Sequence, residues 1–255
     1  MRIDVVTIFP EVFPGPLDAG VIGRGRMRGL LDVVVWDLRA FTDDRHRTVD
    51  EPPYGGGAGM VMKAEPFLRA VDVIRRAAPA PGPALLTSPQ GRRLTQAWAR
   101  SLAAVPQLTV LCGRYEGVDE RVAEILGAEE VSIGDYVLSG GELPAMVIVE
   151  AVGRLVPGVV GEEASVREDS FSAGLLDYPH YTRPADLEGH AVPEVLLSGH
   201  HEEIRRWRRR EALRRTLVRR PDLVDEAALD EEARAWLREW RAERDHTGAP
   251  RRERG

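Results

Sequence analysis

Apolar and polar positions alternate in a regular way over the first 157 residues. Short apolar runs rich in β-branched residues predict strands over 3–8, 33–38, 84–87, 108–112 and 130–133. Apolar positions at helical spacing predict helices near 66–74, over 94–105, over 118–126 and, as a buried helix, over 141–156. This alternation predicts an α/β fold whose mainly parallel sheet carries helices on both faces.

In the third of these helices, Val118, Val122 and Ile125 share one face. The pattern changes after residue 157, because 158–174 has no periodicity and is rich in small and acidic residues. Further on, an amphipathic helix is predicted from Leu229, Ala233, Trp236, Leu237 and Trp240. We therefore predict an α/β domain over 1–160, a flexible linker over 161–174, a small all-α domain over 175–240 and a disordered tail over 241–255.

The composition is that of a soluble protein, with 43% hydrophobic and 30% charged residues. No apolar run is as long as a membrane span, and the N-terminus lacks the features of a signal peptide. The single cysteine, Cys112, lies in an apolar run, which excludes an internal disulfide and fits a reducing compartment. These features predict a cytoplasmic protein with no membrane partner.

The charge is distributed unevenly along the chain. Residues 201–220 hold nine Arg and three Glu, a balance of +6, which leaves −12 for the remainder of a chain of net charge −6. An acidic body with one arginine-rich helix is a layout that RNA-binding proteins use. The alternative is a solvated helix face, and since Lys63 is the only lysine the preference for arginine is general.

Glycines are concentrated directly after three predicted strands, at 88–91, 113–117 and 134–144. The carboxyl ends of neighbouring parallel strands meet at one edge of a sheet, where α/β proteins bind ligands. Glycine lets the backbone approach a ligand closely. The segments therefore predict one binding crevice, unless they are tight turns only.

Other motifs point away from several kinds of site. The glycine-rich segment 52–60 has no Gly-Lys-Ser/Thr, so it is no phosphate loop, and residues 54–59 are either a mobile packing loop or a substrate contact. The first strand has no dinucleotide fingerprint after it, and no nucleophile elbow occurs. His200 and His201 lack the spacing of metal ligands, so we expect no structural metal. Asp169, by itself, is typical of a solvated acid.

Taken together, eight segments are similar to the bacterial tRNA (guanine-N1)-methyltransferase family: 52–63, 86–91, 111–122, 132–147, 156–161, 167–171, 174–184 and 192–209. One such segment is weak evidence, whereas eight in order are specific, and the likeness runs from residue 1 to about 240.

The resemblance implies a SPOUT-type catalytic domain whose deep trefoil knot binds S-adenosyl-L-methionine, followed by the helical domain. It also implies an obligate homodimer with shared active sites and a requirement for Mg²⁺. The implied reaction is methyl transfer to N1 of guanosine 37, next to the anticodon, so that the partner is the anticodon stem-loop of a tRNA.

By position, the resemblance assigns methyl-donor binding to sixteen residues: Leu86, Ser88, Pro89, Gly113, Tyr115, Glu116, Ser132, Ile133, Gly134, Asp135, Tyr136, Val137, Leu138, Gly140, Gly141 and Pro144. Asp169 becomes the general base and Arg154 its cationic partner. Guanine N1 carries a proton that must be removed as the methyl group arrives, which suits a carboxylate. For the phosphates of the tRNA we predict Arg205, Arg208 and Arg209 of the arginine-rich helix.

Three other functions stay open from the residues. The protein could be a methyltransferase of the same fold that acts on ribosomal RNA or ribose hydroxyls, although a ribose needs no carboxylate such as Asp169. It could be an RNA-binding protein without activity, against which the intact Gly140 and Gly141 argue. An NAD-dependent oxidoreductase is disfavoured by the missing fingerprint.

Overall fold

A computed structural model describes residues 1–78, 80–161 and 168–247. The chain divides into two compact units, residues 1–166 and 167–255. Residues 162–167 of the predicted linker lie outside the described residues. None of the described helices is both long and apolar enough to cross a membrane.

The first unit is built on a five-stranded sheet. The strands of the unit, two of which lie outside this sheet, are β1 (Arg2–Thr7), β2 (Asp32–Asp37), β3 (Asp50–Glu51), β4 (Val61–Met62), β5 (Ala84–Arg93), β6 (Gln107–Leu111) and β7 (Glu129–Ser132). The sheet has the order β2–β1–β6–β5–β7, and every neighbouring pair is parallel. Strands β3 and β4 form a separate antiparallel pair. The prediction of an α/β fold with a parallel sheet is confirmed.

Helices pack on both faces of this sheet. They are α1 (Pro14–Asp18), α2 (Gly20–Met27), α3 (Ala64–Ala77), α4 (Gln96–Ala103), α5 (Arg121–Leu126) and α6 (Glu142–Gly153), with 3-10 turns at Pro10–Val12 and Leu38–Phe41. Neighbouring side chains of a strand point to opposite faces. In β1, Val5 therefore packs in the cluster that holds α2, α4 and α6, while Val6 packs in the cluster that holds α3 and α5.

One predicted helix is shorter than its pattern suggested. Val118 lies before α5 and forms an isolated parallel bridge with Met62. Val122 and Leu126 bury the inner face of α5, whereas Ile125 is 63% exposed, so the apolar face read from the sequence is not the face that packs on the core. The helix ends at Leu126, and the next residue, Gly127, adopts the left-handed conformation.

The second unit is mainly helical, but the expectation of an all-α domain was wrong in one detail. Its elements are β8 (Asp186–Leu187), β9 (His190–Ala191), α7 (His201–Arg219) and α8 (Glu231–Thr247), with 3-10 turns at Glu194–Leu196, Pro221–Leu223 and Glu226–Ala228. Strands β8 and β9 form a hairpin because Glu188 and Gly189 both have positive φ, as its two-residue turn requires.

Packing between α7 and α8 makes the core of this unit, with Leu213 against Ala233, Trp236, Leu237 and Trp240. Helix α8 continues to Thr247, so the first seven residues of the predicted disordered tail are helical. Arg241 contributes to this extension, since its guanidinium lies 2.5 Å from the carboxylate of Glu226. Residues 248–255 lie outside the described residues.

Candidate functional site

A cavity of about 350 Å³ lies at the carboxyl ends of β5, β6 and β7. The three glycine-containing segments that follow these strands in the sequence all contribute to its lining, as the sequence predicted. Its position is the usual one for a ligand in a parallel sheet, and its size falls within the range of small-molecule sites.

Strand β5 forms one wall of the cavity through an irregularity in its pairing. Thr87 and Arg92 both have Val131 of β7 as their partner, so residues 88–91 leave the ladder and bulge outward. Ser88, Pro89 and Gln90 line the cavity within this bulge. The sequence predicted a loop after a four-residue strand, whereas the structure continues the strand beyond the bulge to Arg93.

Gly141 forms part of the floor, where no larger residue fits. Its N–H donates to the carbonyl oxygen of Gly113 at 2.8 Å. A Cβ at this position would lie 1.9 Å from Oγ1 of Thr87 and 2.9 Å from Cα of Cys112. Thr87 holds the same floor together, because its hydroxyl accepts the Gly113 N–H at 3.1 Å and donates to the Leu111 carbonyl at 3.2 Å.

A buried ion pair joins two of the loops. Nε of Arg114 donates to Oε2 of Glu142 at 3.1 Å, and the hydroxyl of Thr7 donates to Oε1 at 2.9 Å. The backbone of Arg114 also forms an antiparallel bridge with Gly140. Arg114 was not among the predicted site residues, although it lies inside the glycine-rich segment 113–117.

Cys112 lies beneath this floor and is fully buried. Burial, together with the nearby charge of Glu142, raises the pKa of its thiol well above the ordinary value. The thiol therefore stays protonated and is unsuited to act as a nucleophile.

Fifteen of the sixteen residues expected to bind a methyl donor line the cavity. The exception is Asp135, which is not among the described residues that line the cavity. Its side chain is 83% exposed and pairs with Arg93 at 2.5 Å. The cavity is also lined by polar residues that were not predicted to belong to it: Gln90, Arg114, Glu120 and Glu130. Gln90 and Arg114 belong to the glycine-rich segments and Glu130 to strand β7, whereas Glu120 is the N-cap of α5.

The segment 54–59 approaches the cavity from outside. Tyr54 is fully exposed, and Gly55, Gly56, Gly57 and Gly59 all have positive φ. A Cβ on Gly59 would lie 2.3 Å from Oε1 of Glu116, which lines the cavity. The close-packing interpretation therefore holds at Gly59.

Comparison with known proteins identifies the chain over most of its length. The sequence profile of the family described as tRNA (Guanine-1)-methyltransferase TrmD matches residues 1–226. The chain belongs to this family. It is 55% identical over 240 residues to the tRNA (guanine-N(1)-)-methyltransferase of Pelotomaculum thermopropionicum, a match that covers 94% of this chain and 96% of the relative.

Proteins of the same name from two further organisms are similarly close. The identity is 58% for Chloroflexus aurantiacus, over 89% of this chain and 90% of the relative. It is 51% for Geobacillus kaustophilus, over 96% of this chain and the whole of the relative. The expected family membership is confirmed.

The two expected catalytic residues of this methyltransferase lie in different units. Arg154 follows α6 in the first unit, and its N–H donates to the carbonyl oxygen of Glu150. Asp169 lies in the second unit, in a turn where the Ser172 N–H donates to its carbonyl oxygen at 3.1 Å. Neither residue lines the described cavity.

The arginines of α7 have two kinds of surroundings. Several pair with acids of the second unit: Arg206 with Glu232 at 2.6 Å, Arg209 with Asp230 at 2.5 Å, Arg210 with Glu239 at 3.2 Å, and Arg205 with Glu202. The Ala233 N–H and Arg209 both lower the pKa of Asp230. Arg209, one of the three arginines predicted to contact RNA, thus connects α7 to the N-terminal end of α8 through Asp230.

Arg208, Arg215 and Arg219 differ from these, since none has an acidic partner among the described residues. Arg208 instead lies over the ring of Tyr178, 4.9 Å from its centroid. Within the described parts of the chain, no three His, Cys, Asp or Glu residues are grouped so as to hold a metal ion, including around His200 and His201.

Proposed function

We propose that this protein transfers a methyl group from S-adenosyl-L-methionine to N1 of guanosine 37 in tRNA. The observation that carries the proposal is the cavity at the ends of β5, β6 and β7, lined by fifteen of the residues expected to bind the methyl donor. The relatives named tRNA (guanine-N(1)-)-methyltransferase support the choice of base and of RNA.

The lining suits the methyl donor chemically. Leu86, Ile133 and Leu138 offer apolar surface to an adenine ring, and the glycines offer backbone groups at close range. Glu116 and Glu130 supply negative charge for a ligand that carries a sulfonium and an ammonium group. When bound, S-adenosylmethionine supplies an electrophilic methyl group and leaves as a neutral thioether.

The chemistry on the guanine side requires a base. Asp169 removes the N1 proton as the new N–C bond forms, a contribution of about 10²–10⁴-fold for a positioned general base. Negative charge then moves toward the guanine O6, where the guanidinium of Arg154 stabilises it. The target base must leave its stack to enter such a site, and an anticodon loop offers unpaired bases.

We propose further that the protein is a homodimer in which each site combines the cavity of one protomer with Asp169 of the other. Helix α6 buries one apolar face, while Leu143 and Val147 lie one turn apart on its other side, 56% and 44% exposed. Val137, at the cavity rim, is 85% exposed. Exposed apolar surface of this kind is typical of an interface, and a second copy would bury it together with the rim.

The finer features of the fold are part of the same proposal. After β7 the chain returns across the ends of β5 and β6 before α6 packs on the sheet, a course that is compatible with a trefoil knot. The second unit serves as the tRNA-binding domain, and the activity is cytoplasmic because its substrate is tRNA. Among the described residues, no group of three His, Cys, Asp or Glu side chains is placed to hold Mg²⁺.

Arg208, Arg215 and Arg219 of α7 are the residues we propose for the tRNA phosphates. Their spacing of seven and four residues aligns them on one face of the helix. Because they have no acidic partner among the described residues, phosphates need not compete with a carboxylate for them. Arg205 and Arg209 stay part of the same proposal, since the acids that they pair with, Glu202 and Asp230, are both exposed.

The test is Asp169→Asn, with Asp222→Asn as a control for an exposed acid of the same unit. We expect the Asp169 variant to bind S-adenosylmethionine normally by calorimetry and to lose at least about 100-fold in single-turnover methyl transfer. Mass spectrometry of the nucleosides should identify 1-methylguanosine for the wild type, and none on a transcript that carries adenosine at position 37. Near-normal transfer by Asp169→Asn, or methylation of ribose only, would contradict the proposal.

A further inference from the structure

The turn that carries Asp169 is held on both sides by one dipeptide, Asp177–Tyr178. The hydroxyl of Tyr178 donates to Oε2 of Glu168 at 3.0 Å. The N–H of Asp177 donates to Oγ of Ser170 at 2.9 Å. Glu168 and Ser170, the residues immediately before and after Asp169, are thus both held by hydrogen bonds. Neither of these two bonds involves Asp169 itself.

The dipeptide is in turn fixed to α7. The guanidinium of Arg208 lies over the Tyr178 ring, and its Nε is buried with no hydrogen-bond partner among the described residues. One residue earlier than the dipeptide, the N–H of Leu176 donates to Oγ1 of the fully buried Thr216 at 2.9 Å. A continuous set of contacts therefore leads from α7, through Tyr178, to the neighbours of Asp169.

The hydrogen bond to Glu168 has a second consequence. Burial and this bond raise the pKa of Tyr178 above its ordinary value, so the hydroxyl stays a donor at neutral pH. A hydrogen bond from a hydroxyl to a charged carboxylate is stronger than one between neutral groups. It engages the carboxylate of Glu168, the residue next to Asp169 in the same turn.

We propose that Tyr178 is a positioning residue for Asp169. Its hydroxyl holds Glu168 and thereby the turn, and its ring joins that turn to the arginine-bearing helix through Arg208. The helix that contacts tRNA and the turn that carries the general base Asp169 are then joined by direct contacts. The inference rests on the proposed role of Asp169 and adds a residue that acts through Glu168.

The hydroxyl can be tested by itself because Tyr178→Phe keeps the ring beneath Arg208. Tyr181→Phe is the matched control, since Tyr181 has a ring contact with Trp207 but no hydroxyl partner among the described residues. We expect Tyr178→Phe to lower the single-turnover rate about tenfold at saturating tRNA and methyl donor, the size expected for one hydrogen bond to a charged group. The Kd values for both substrates should change less than about twofold.

A double-mutant cycle with Glu168→Ala separates positioning from a general loss of structure. If the hydroxyl acts through Glu168, the double variant should be no slower than either single one. A rate within twofold of wild type for Tyr178→Phe, an equal loss for Tyr181→Phe, or additive effects in the cycle would overturn the inference. If instead Asp169→Asn keeps its activity, the proposed function itself fails, so the two failures are distinguishable.

Discussion

Nε of Arg114 lies 3.1 Å from Oε2 of Glu142, and the side chain of Glu142 is only 3% exposed. This ion pair connects the loop after β6 to the first turn of α6. The floor of the cavity is therefore held together by the buried carboxylate of Glu142. Thr7 of β1 completes the arrangement by donating to the other carboxylate oxygen.

Removal of this carboxylate should destabilise the first unit. Glu142→Ala leaves Arg114 and Thr7 without their acceptor, and we expect a loss of about 2–4 kcal/mol, less than for a fully buried pair because Arg114 is partly exposed. Glu129→Ala, which breaks the exposed pair with Arg92, should cost less than about 1 kcal/mol. Urea unfolding measures the free energy of unfolding of both variants. Equal losses would show that the Arg114–Glu142 pair stabilises the unit no more than the exposed pair does.

The contact between Gly141 and the backbone below it should make that position intolerant of any side chain. Gly141→Ala must displace Thr87 or the backbone of Cys112, so we expect methyl-donor affinity to fall at least about tenfold and stability by about 1–3 kcal/mol. Gly15→Ala is the control, because a Cβ there meets nothing within 4 Å. Calorimetry and thermal melting check both variants, and normal affinity in Gly141→Ala would contradict the described floor.

The two groups of arginines on α7 should respond differently to salt. Arg215→Gln with Arg219→Gln should weaken tRNA binding and reduce the slope of log K against log salt by about two. Arg206→Gln with Arg210→Gln removes the same charge from residues paired with acids of α8, and should leave the slope unchanged. Binding titrations over a range of salt concentrations distinguish the pairs. Equal slopes for the two double variants would mean that ion pairing does not select the RNA-binding residues.

A shared active site predicts complementation between two inactive variants. Gly141→Trp blocks the cavity and Asp169→Ala removes the base, so each homodimer should be inactive. Co-expression gives mixed dimers in which one site carries both lesions and the other neither. With random pairing, roughly a quarter of wild-type activity should return.

Purification through two different tags isolates the mixed dimers for this measurement. If they bind one methyl donor each and yet stay inactive, Asp169 acts within its own protomer, contrary to the proposed shared site. Donor binding also verifies that the unaltered cavity of the mixed dimer has folded.

Local sequence patterns predicted the arrangement of the first unit well, for a physical reason. β-Branched runs such as 108–112 and the helical spacing of Val71 and Ile74 reflect burial, which repeats along the chain with the period of the element. The ends of parallel strands share one edge, so the glycine segments at 113–117 and 134–144 had to meet once the sheet was parallel.

Partners distant in the sequence were decided only by the tertiary structure. No local pattern directs Asp135 to Arg93 or Arg209 to Asp230, because any exposed acid within reach could have taken either arginine. The bulge at 88–91 likewise requires the facing strand, where Val131 receives both Thr87 and Arg92. By itself, the sequence determined the family, the layers and the segments around the cavity, since these follow from local burial and from motifs. Which charges pair with each other, and which therefore stay available for a ligand, depends on distances that exist only after the chain has folded.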